Sequence, residues 1–112
     1  MKKVIAIPTD QNCLSQHFGH CETFIIFETD DGKVMNETHL DPPPHAPGIL
    51  PGWLASHGIT HVIAGGMGHR AIALFNQHNI QVLVGAALKP AGTLINEFLN
   101  GDLEAGNNLC DH

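Results

Sequence analysis

Only five of the 112 residues are lysine or arginine, against eleven aspartates and glutamates, and the net charge is −6 with histidine neutral. That balance excludes a nucleic-acid binder, which needs a basic face for phosphate. Long apolar runs are missing too. Val4 to Ile7, after Lys2 and Lys3, is far too short for a signal peptide or a membrane span. The expectation is a cytoplasmic protein with neither nucleic acid nor membrane as partner. Cysteine is scarce. Three residues, an odd number, fit a disulfide framework poorly, and cytosolic thiols stay reduced. Charged residues are only 14% and apolar residues 43%, which excludes a disordered chain. No repeat and no internal linker divides the sequence, so a single domain over 1–112 is expected, with 101–112 as its C-terminal tail. Against these scarcities, nine histidines are an excess that directs attention to metal.

Lys3 to Pro8, K-V-I-A-I-P, is a short apolar run with β-branched residues and predicts a central strand buried on both faces. Thr23 to Glu28 predicts a second strand. Asp30-Asp31-Gly32 is a hairpin signal, so Lys33 to Leu40 returns antiparallel as an exposed or edge strand. The stiff loop D-P-P-P-H-A-P-G, Asp41 to Gly48, ends it. The period then changes. Ile49, Leu50, Trp53 and Leu54 predict a helix ending at Gly58. His61 to Gly65 is a buried strand, and Ala71, Ile72, Leu74 and Phe75 predict a helix ending near Asn79. Gln81 to Val84 is a strand, and Leu94, Ile95, Phe98 and Leu99 predict a last helix stopped by Gly101. The order β-β-β-α-β-α-β-α describes an α/β domain with a mixed sheet of about five strands, the last two joined by right-handed parallel crossovers.

Metal-ligand side chains crowd one connection. Cys13, His17, His20 and Cys21 lie in N-C-L-S-Q-H-F-G-H-C, between the first two strands. Thiolate and imidazole suit zinc, copper and iron–sulfur centres. The segment follows the carboxyl end of the first strand, where open α/β sheets bind ligands. The spacing C-x3-H-x2-H-C is not a zinc-finger signature, and two small buried cysteines with surface histidines would produce the same letters. A second group lies in the tail, G-N-N-L-C-D-H from Gly106 to His112. From Gly101 to Cys110 the chain can span up to roughly 30 Å, enough to return to the first connection. Cys110 and His112 would then complete a Cys/His set suited to zinc, or to an iron–sulfur cluster with one non-cysteine ligand. The alternative is a free tail.

Ala64 to Arg70, A-G-G-M-G-H-R, is a glycine-rich passage from strand into helix. Gly65, Gly66 and Gly68 would let backbone N–H groups approach a ligand, the helix start favours an anion, and Arg70 could pair with it. It is neither G-x-G-x-x-G nor the phosphate-binding loop, and a tight turn that needs glycine for steric reasons explains it equally well. His45, set in the proline-rich loop, is one more side chain that could face the same crevice.

The runs I-A-I-P-T-D, H-F-G-H-C-E-T-F-I-I-F-E, V-I-A-G-G-M-G-H-R-A-I and G-D-L-E-A-G-N-N-L-C-D-H together resemble the dinitrogenase iron–molybdenum cofactor biosynthesis family. That family includes nitrogenase cofactor carriers (NifX-like), the C-terminal part of some NifB proteins and the molybdenum–copper orange protein. The resemblance implies a ribonuclease-H-like, three-layer α/β/α fold. It also implies binding or carriage of a metal–sulfur cluster, of iron–sulfur, molybdenum–iron or molybdenum–copper type, rather than catalysis. The partners would be cluster-donating and cluster-accepting proteins. His17, Phe18 and Gly19 match the first family motif, and Gly65, Gly66 and Gly68 the second. Cys110-x-His112 looks like a tail found in some members, and His20-Cys21 stands where many members carry arginine.

Two rival functions have their own predictions. A structural zinc that pins the tail would make the chain a regulatory or interaction module. A two-metal nuclease would need several converging carboxylates, and Asp10 is the only suitably placed one, beside a glycine-rich strand end that offers no second. The expectation is a protein that is not an enzyme.

Overall fold

A computed structural model describes residues 2–16, 18, 21–43 and 48–103. Its elements are β1 (Lys2–Asp10), β2 (Cys13–Leu14), β3 (Thr23–Asp30), β4 (Lys33–Leu40), α1 (Ile49–Ser56), β5 (His61–Ile63), α2 (His69–Gln77), β6 (Gln81–Leu83) and α3 (Ala91–Asn100). The sheet runs β4-β3-β1-β5-β6, antiparallel from β4 to β1 and parallel from β1 to β6.

The sheet has six strands rather than the expected five, because the two-residue β2 pairs with the end of β1. The cause is local. Gln11 and Asn12 both take left-handed φ (53° and 68°), the primed two-residue turn whose twist matches that of a hairpin. Asp31 (φ 50°) and Gly32 (φ 80°) do the same at the expected hairpin between β3 and β4.

Alternation along β1 assigns the layers. Ile5 and Ile7 face one side, with Ile25, Phe27 and Ile63, and Ala91, Leu94 and Ile95 of α3 cover them. Ala6 faces the other, with Phe24, Ile26 and Val62, and Leu54 of α1 and Phe75 of α2 cover those. Helices thus pack on both faces of a mixed sheet, as the pattern of buried runs requires. Gly58 (φ 77°) and Gly101 (φ 78°) end α1 and α3 in the left-handed conformation, as expected from sequence. Among the described residues no helix is long and apolar enough to cross a membrane.

Direction follows from pairing. β4 runs parallel to β1, because each of them pairs antiparallel with β3, and β5 and β6 also run with β1. The strands that precede α1, α2 and α3 therefore all finish at the end of the sheet where β1 finishes. The connection from β1 to β3 lies at that same end.

Candidate functional site

Three contacts fix the β1–β3 connection. At its start β2 pairs with β1, Asp10 opposite Cys13 and Thr9 opposite Leu14. Opposed residues in an antiparallel pair share a face, so Cys13 lies on the side of Asp10, which by alternation is the Ala6 side under α1 and α2. Leu14 faces α3 and belongs to the core there. Cys13 is half-buried and Cys21 buried, and both are free thiols.

The middle of the connection is held by Phe18. It is only 9% exposed, and its ring stands edge-on to Phe24 (centroids 5.7 Å) and to Phe75 of α2 (5.4 Å). Edge-on aromatic pairs contribute about 0.5–1.5 kcal/mol each beyond the area they bury. The phenylalanine of H-F-G is therefore anchored in the core beside α2.

The neck is closed by hydrogen bonds. The Ser15 hydroxyl donates to Asp10 Oδ2 (2.8 Å), and the Glu22 N–H donates to Asp10 Oδ1 (2.8 Å) and to the Thr9 carbonyl (3.0 Å). In return the Gln11 N–H donates to Glu22 Oε1 (3.0 Å), and the Ser15 N–H donates to the Pro8 carbonyl (2.8 Å). Cys21, next to Glu22, packs in the core cluster that contains Phe18, Met67 and Phe75. Burial, and secondarily the Asp10 carboxylate, push its thiol up to about 11. At neutral pH Cys21 is a protonated thiol and becomes a thiolate only when a cation displaces the proton.

The glycine-rich passage lies beside this connection. Ala64, Gly65, Gly66 and Met67 are buried. The Ala64 and Gly65 carbonyls accept from Ala86 (3.3 Å) and Gly85 (3.1 Å), which joins the passage to the loop after β6. None of Gly65, Gly66 and Gly68 has a left-handed φ, and a Cβ built on Gly68 meets nothing within 4 Å. Backbone sterics thus do not require glycine at 68. Arg70 is exposed in the first turn of α2.

The three helix starts share one property. Gly48, Gly68 and Pro90 make no side-chain capping bond, and no acidic residue lies in any first turn. Each start carries about half a positive elementary charge from the aligned peptides. An acidic chain with five basic residues thus places three helix starts without a side-chain cap or first-turn acid after strands that finish at one end of its sheet. The Ala91 N–H of α3 is engaged by the Asn12 carbonyl at 2.9 Å, which ties that start to the β1–β2 turn.

The structure thus gathers Cys13, Cys21 and the glycine-rich passage at one end of one face, with Asp10 opposite Cys13 and bonded to the Glu22 N–H next to Cys21. His17, Gly19, His20, His45, Cys110 and His112 lie outside the described residues, and so does any closure of the site by the tail. Among the described residues no group of three or more His, Cys, Asp or Glu side chains is arranged to hold a metal ion. Sequence reasoning missed the anchoring by Phe18, the part played by Asp10 and the uncapped helix starts. Only the last carries a sequence signal, the absence of Ser, Thr, Asp and Asn at all three starts. An open hollow of about 300 Å³ on the α3 face is lined by Asn12, Phe27, Glu37 and His39, and the last two are paired with each other at 2.7 Å.

A family model described as "Dinitrogenase iron-molybdenum cofactor" matches residues 1–101. An uncharacterized protein of Methanocaldococcus jannaschii is 35% identical, over 89% of this chain and 88% of that protein. The crystal structure of PH0822 is similar with a TM-score of 0.85 and 30% identity, over 91% of this chain and 93% of that one. The apo orange protein from Desulfovibrio gigas has the same fold, with a TM-score of 0.77 at 18% identity over 95% and 94% of the two chains.

Proposed function

The chain belongs to the dinitrogenase iron–molybdenum cofactor family, and we propose that it binds and carries, or scaffolds, a metal–sulfur cluster for proteins that assemble such a cofactor in the cytosol. It does so without catalysing a reaction, on a fold of the ribonuclease-H-like type. The observation that carries the proposal is the β1–β3 connection. Two free cysteines, Cys13 opposite Asp10 and Cys21 in the cluster of Phe18, lie at the neck beside a glycine-rich helix start. Soft thiolate ligands suit iron, copper and molybdenum–sulfur species. Thiometallates are anionic, and the uncapped helix starts supply positive potential that the side-chain charges of this protein do not.

Cys13 and Cys21 are the ligands proposed from the described residues. His17, His20, Cys110 and His112 are proposed to complete the set, with His45 as a further side chain at the rim. Gly65, Gly66, Gly68 and Arg70 would meet the anionic sulfur surface of the guest. The nuclease alternative would need several carboxylates converging with Asp10, and the glycine-rich strand end offers none. A structural zinc remains the second reading, favoured by the same cysteine and histidine types.

Anaerobic reconstitution with iron and sulfide, and separately with tetrathiomolybdate, followed by metal and sulfide analysis, tests the proposal. Iron or molybdenum retained with sulfide, and lost in Cys21→Ser, is the expected result. One zinc per chain without sulfide overturns it in favour of the structural site. Retention of nothing overturns both.

A further inference from the structure

Asp10 is bonded to a residue just after each of the two cysteines. It is the cross-strand partner of Cys13. Its Oδ2 accepts from Ser15, two residues after Cys13, and its Oδ1 accepts from the backbone of Glu22, one residue after Cys21, both at 2.8 Å. The backbone bonds Ser15 to Pro8 and Glu22 to Thr9 bring the same two points against β1. One carboxylate thus draws together residues seven apart in the chain, on either side of Phe18. A carboxylate is the apt group for this. It has two acceptor oxygens in one plane, and its charge shortens and strengthens bonds to both donors. The Gln11 N–H to Glu22 Oε1 bond at 3.0 Å ties the same neck from the opposite direction, in the reciprocal manner of a helix capping box.

We propose that Asp10 is the positioning residue of the candidate site: its bidentate hold on Ser15 and Glu22 sets the separation and orientation at which Cys13 and Cys21 meet an inorganic guest. This rests on the function proposed above. Asp10 acts through the neck, with Oδ2 accepting from Ser15 and Oδ1 from Glu22. Its effect is pre-organisation. Without it the loop would have to be ordered again each time a guest binds, and that cost would appear as lost affinity. The other two fastenings act elsewhere: Phe18 packs against Phe24 and Phe75, and the backbone bonds run to Pro8 and Thr9.

Cobalt(II) is a suitable probe, because thiolate ligation gives it a visible spectrum. Wild type, Asp10→Ala, Asp10→Asn and Ser15→Ala are titrated with cobalt(II), and hydrogen exchange at the Glu22 amide is measured in the metal-free proteins. In Asp10→Ala, exchange at Glu22 rises and cobalt affinity falls, each about tenfold, as loss of a charged hydrogen-bonding group implies. Asp10→Asn keeps an acceptor for the Glu22 N–H and offers an N–H to the Ser15 oxygen, so it returns both quantities to within about threefold of wild type. Ser15→Ala removes one arm only and falls between them, which gives a reading even if Asp10→Ala does not fold. Faster exchange with unchanged cobalt affinity overturns the positioning role and leaves the proposed site intact. Failure of Asp10→Asn to restore affinity overturns it also, by assigning the effect to charge rather than geometry. A wild-type protein that takes up no cobalt overturns the proposed site and the role of Asp10 with it.

Discussion

Removing the Phe18 ring should loosen the protein and its site together. The ring is 91% removed from solvent and touches two others, Phe24 in β3 and Phe75 in α2, both fully buried. Truncation of a buried phenylalanine to alanine typically costs about 3–5 kcal/mol. Phe18 is in a connection rather than an element, so neighbouring loop residues can close part of the gap, and the lower figure of about 3 kcal/mol applies to Phe18→Ala. For a chain of this size about 4 °C is lost per kcal/mol, so the midpoint of thermal unfolding should fall by about 12 °C. Trp53 is the only tryptophan, and its ring lies 5.7 Å from that of Phe24 in the same cluster. Its fluorescence therefore reports the packing that the substitution disturbs, and urea unfolding followed at Trp53 gives the free energy directly. Phe18→Leu retains most of the volume and should cost about 1 kcal/mol. Guest binding should weaken in step with the loss of anchoring. A stability change below about 1 kcal/mol for Phe18→Ala, at the foot of the range for any core truncation, would refute the anchoring.

Four other outcomes are expected. Gly68→Ser provides a missing N-cap and should stabilise the fold by a few tenths of a kcal/mol, while its side chain enters the open space at the start of α2 and lowers tetrathiomolybdate uptake; unchanged uptake would remove Gly68 from the site. Cys21 ionises near 11 in the fold and at 9.0 ordinarily, so the folded chain holds the proton more tightly. Stability from this source is complete below pH 9 and is lost between pH 9 and 11, and alkylation of Cys21 at pH 8 should be far slower than that of a free thiol, with a Cys21→Ser control in both measurements. His61 is shifted the other way, lowered by burial and then by Lys3, so the fold favours its neutral form. Its contribution is present in full above pH 6.5 and falls away as the pH drops to the lowered value, and the urea midpoint of His61→Gln should accordingly be less sensitive than wild type between pH 7 and 5. Cys110→Ser should reduce retained iron if the tail contributes a ligand, and equal iron in variant and wild type would exclude it.

Much of the architecture was legible because each layer has its own sequence period. Ile5 and Ile7 alternate with Ala6, and the stripes at Leu54, Phe75 and Leu94–Ile95 have helical spacing, so burial on both sides of the sheet was readable. The two-residue β2 was not. A strand that short has no period, and its only cue is an asparagine that tolerates a left-handed φ at position 12. Asp10 is legible as a carboxylate at a strand end, where β1 places it, but its partners are 5 and 12 residues away and no local pattern encodes them. Phe18 looked like one letter of a motif, since a lone aromatic in a polar segment gives no periodic signal that it turns inward. The two cysteines at 13 and 21 are legible by type, whereas the face on which Cys13 lies requires the register of β1 and β2.

The two borders of the sheet have a consequence for how this protein meets others. β6 has only three residues, and β4 carries an irregularity opposite Glu28 and Thr29, where Met35 is an extra residue that breaks the spacing of its outward N–H and C=O groups. Lys33 lies at the start of that strand, a charge of the kind that discourages lateral stacking. Neither border therefore offers a long straight template for an incoming strand. Under the function proposed above, a protein exchanging an inorganic load with this one would meet it instead end-on, where the strands run out and the helices begin, so that recognition and transfer would share one small surface.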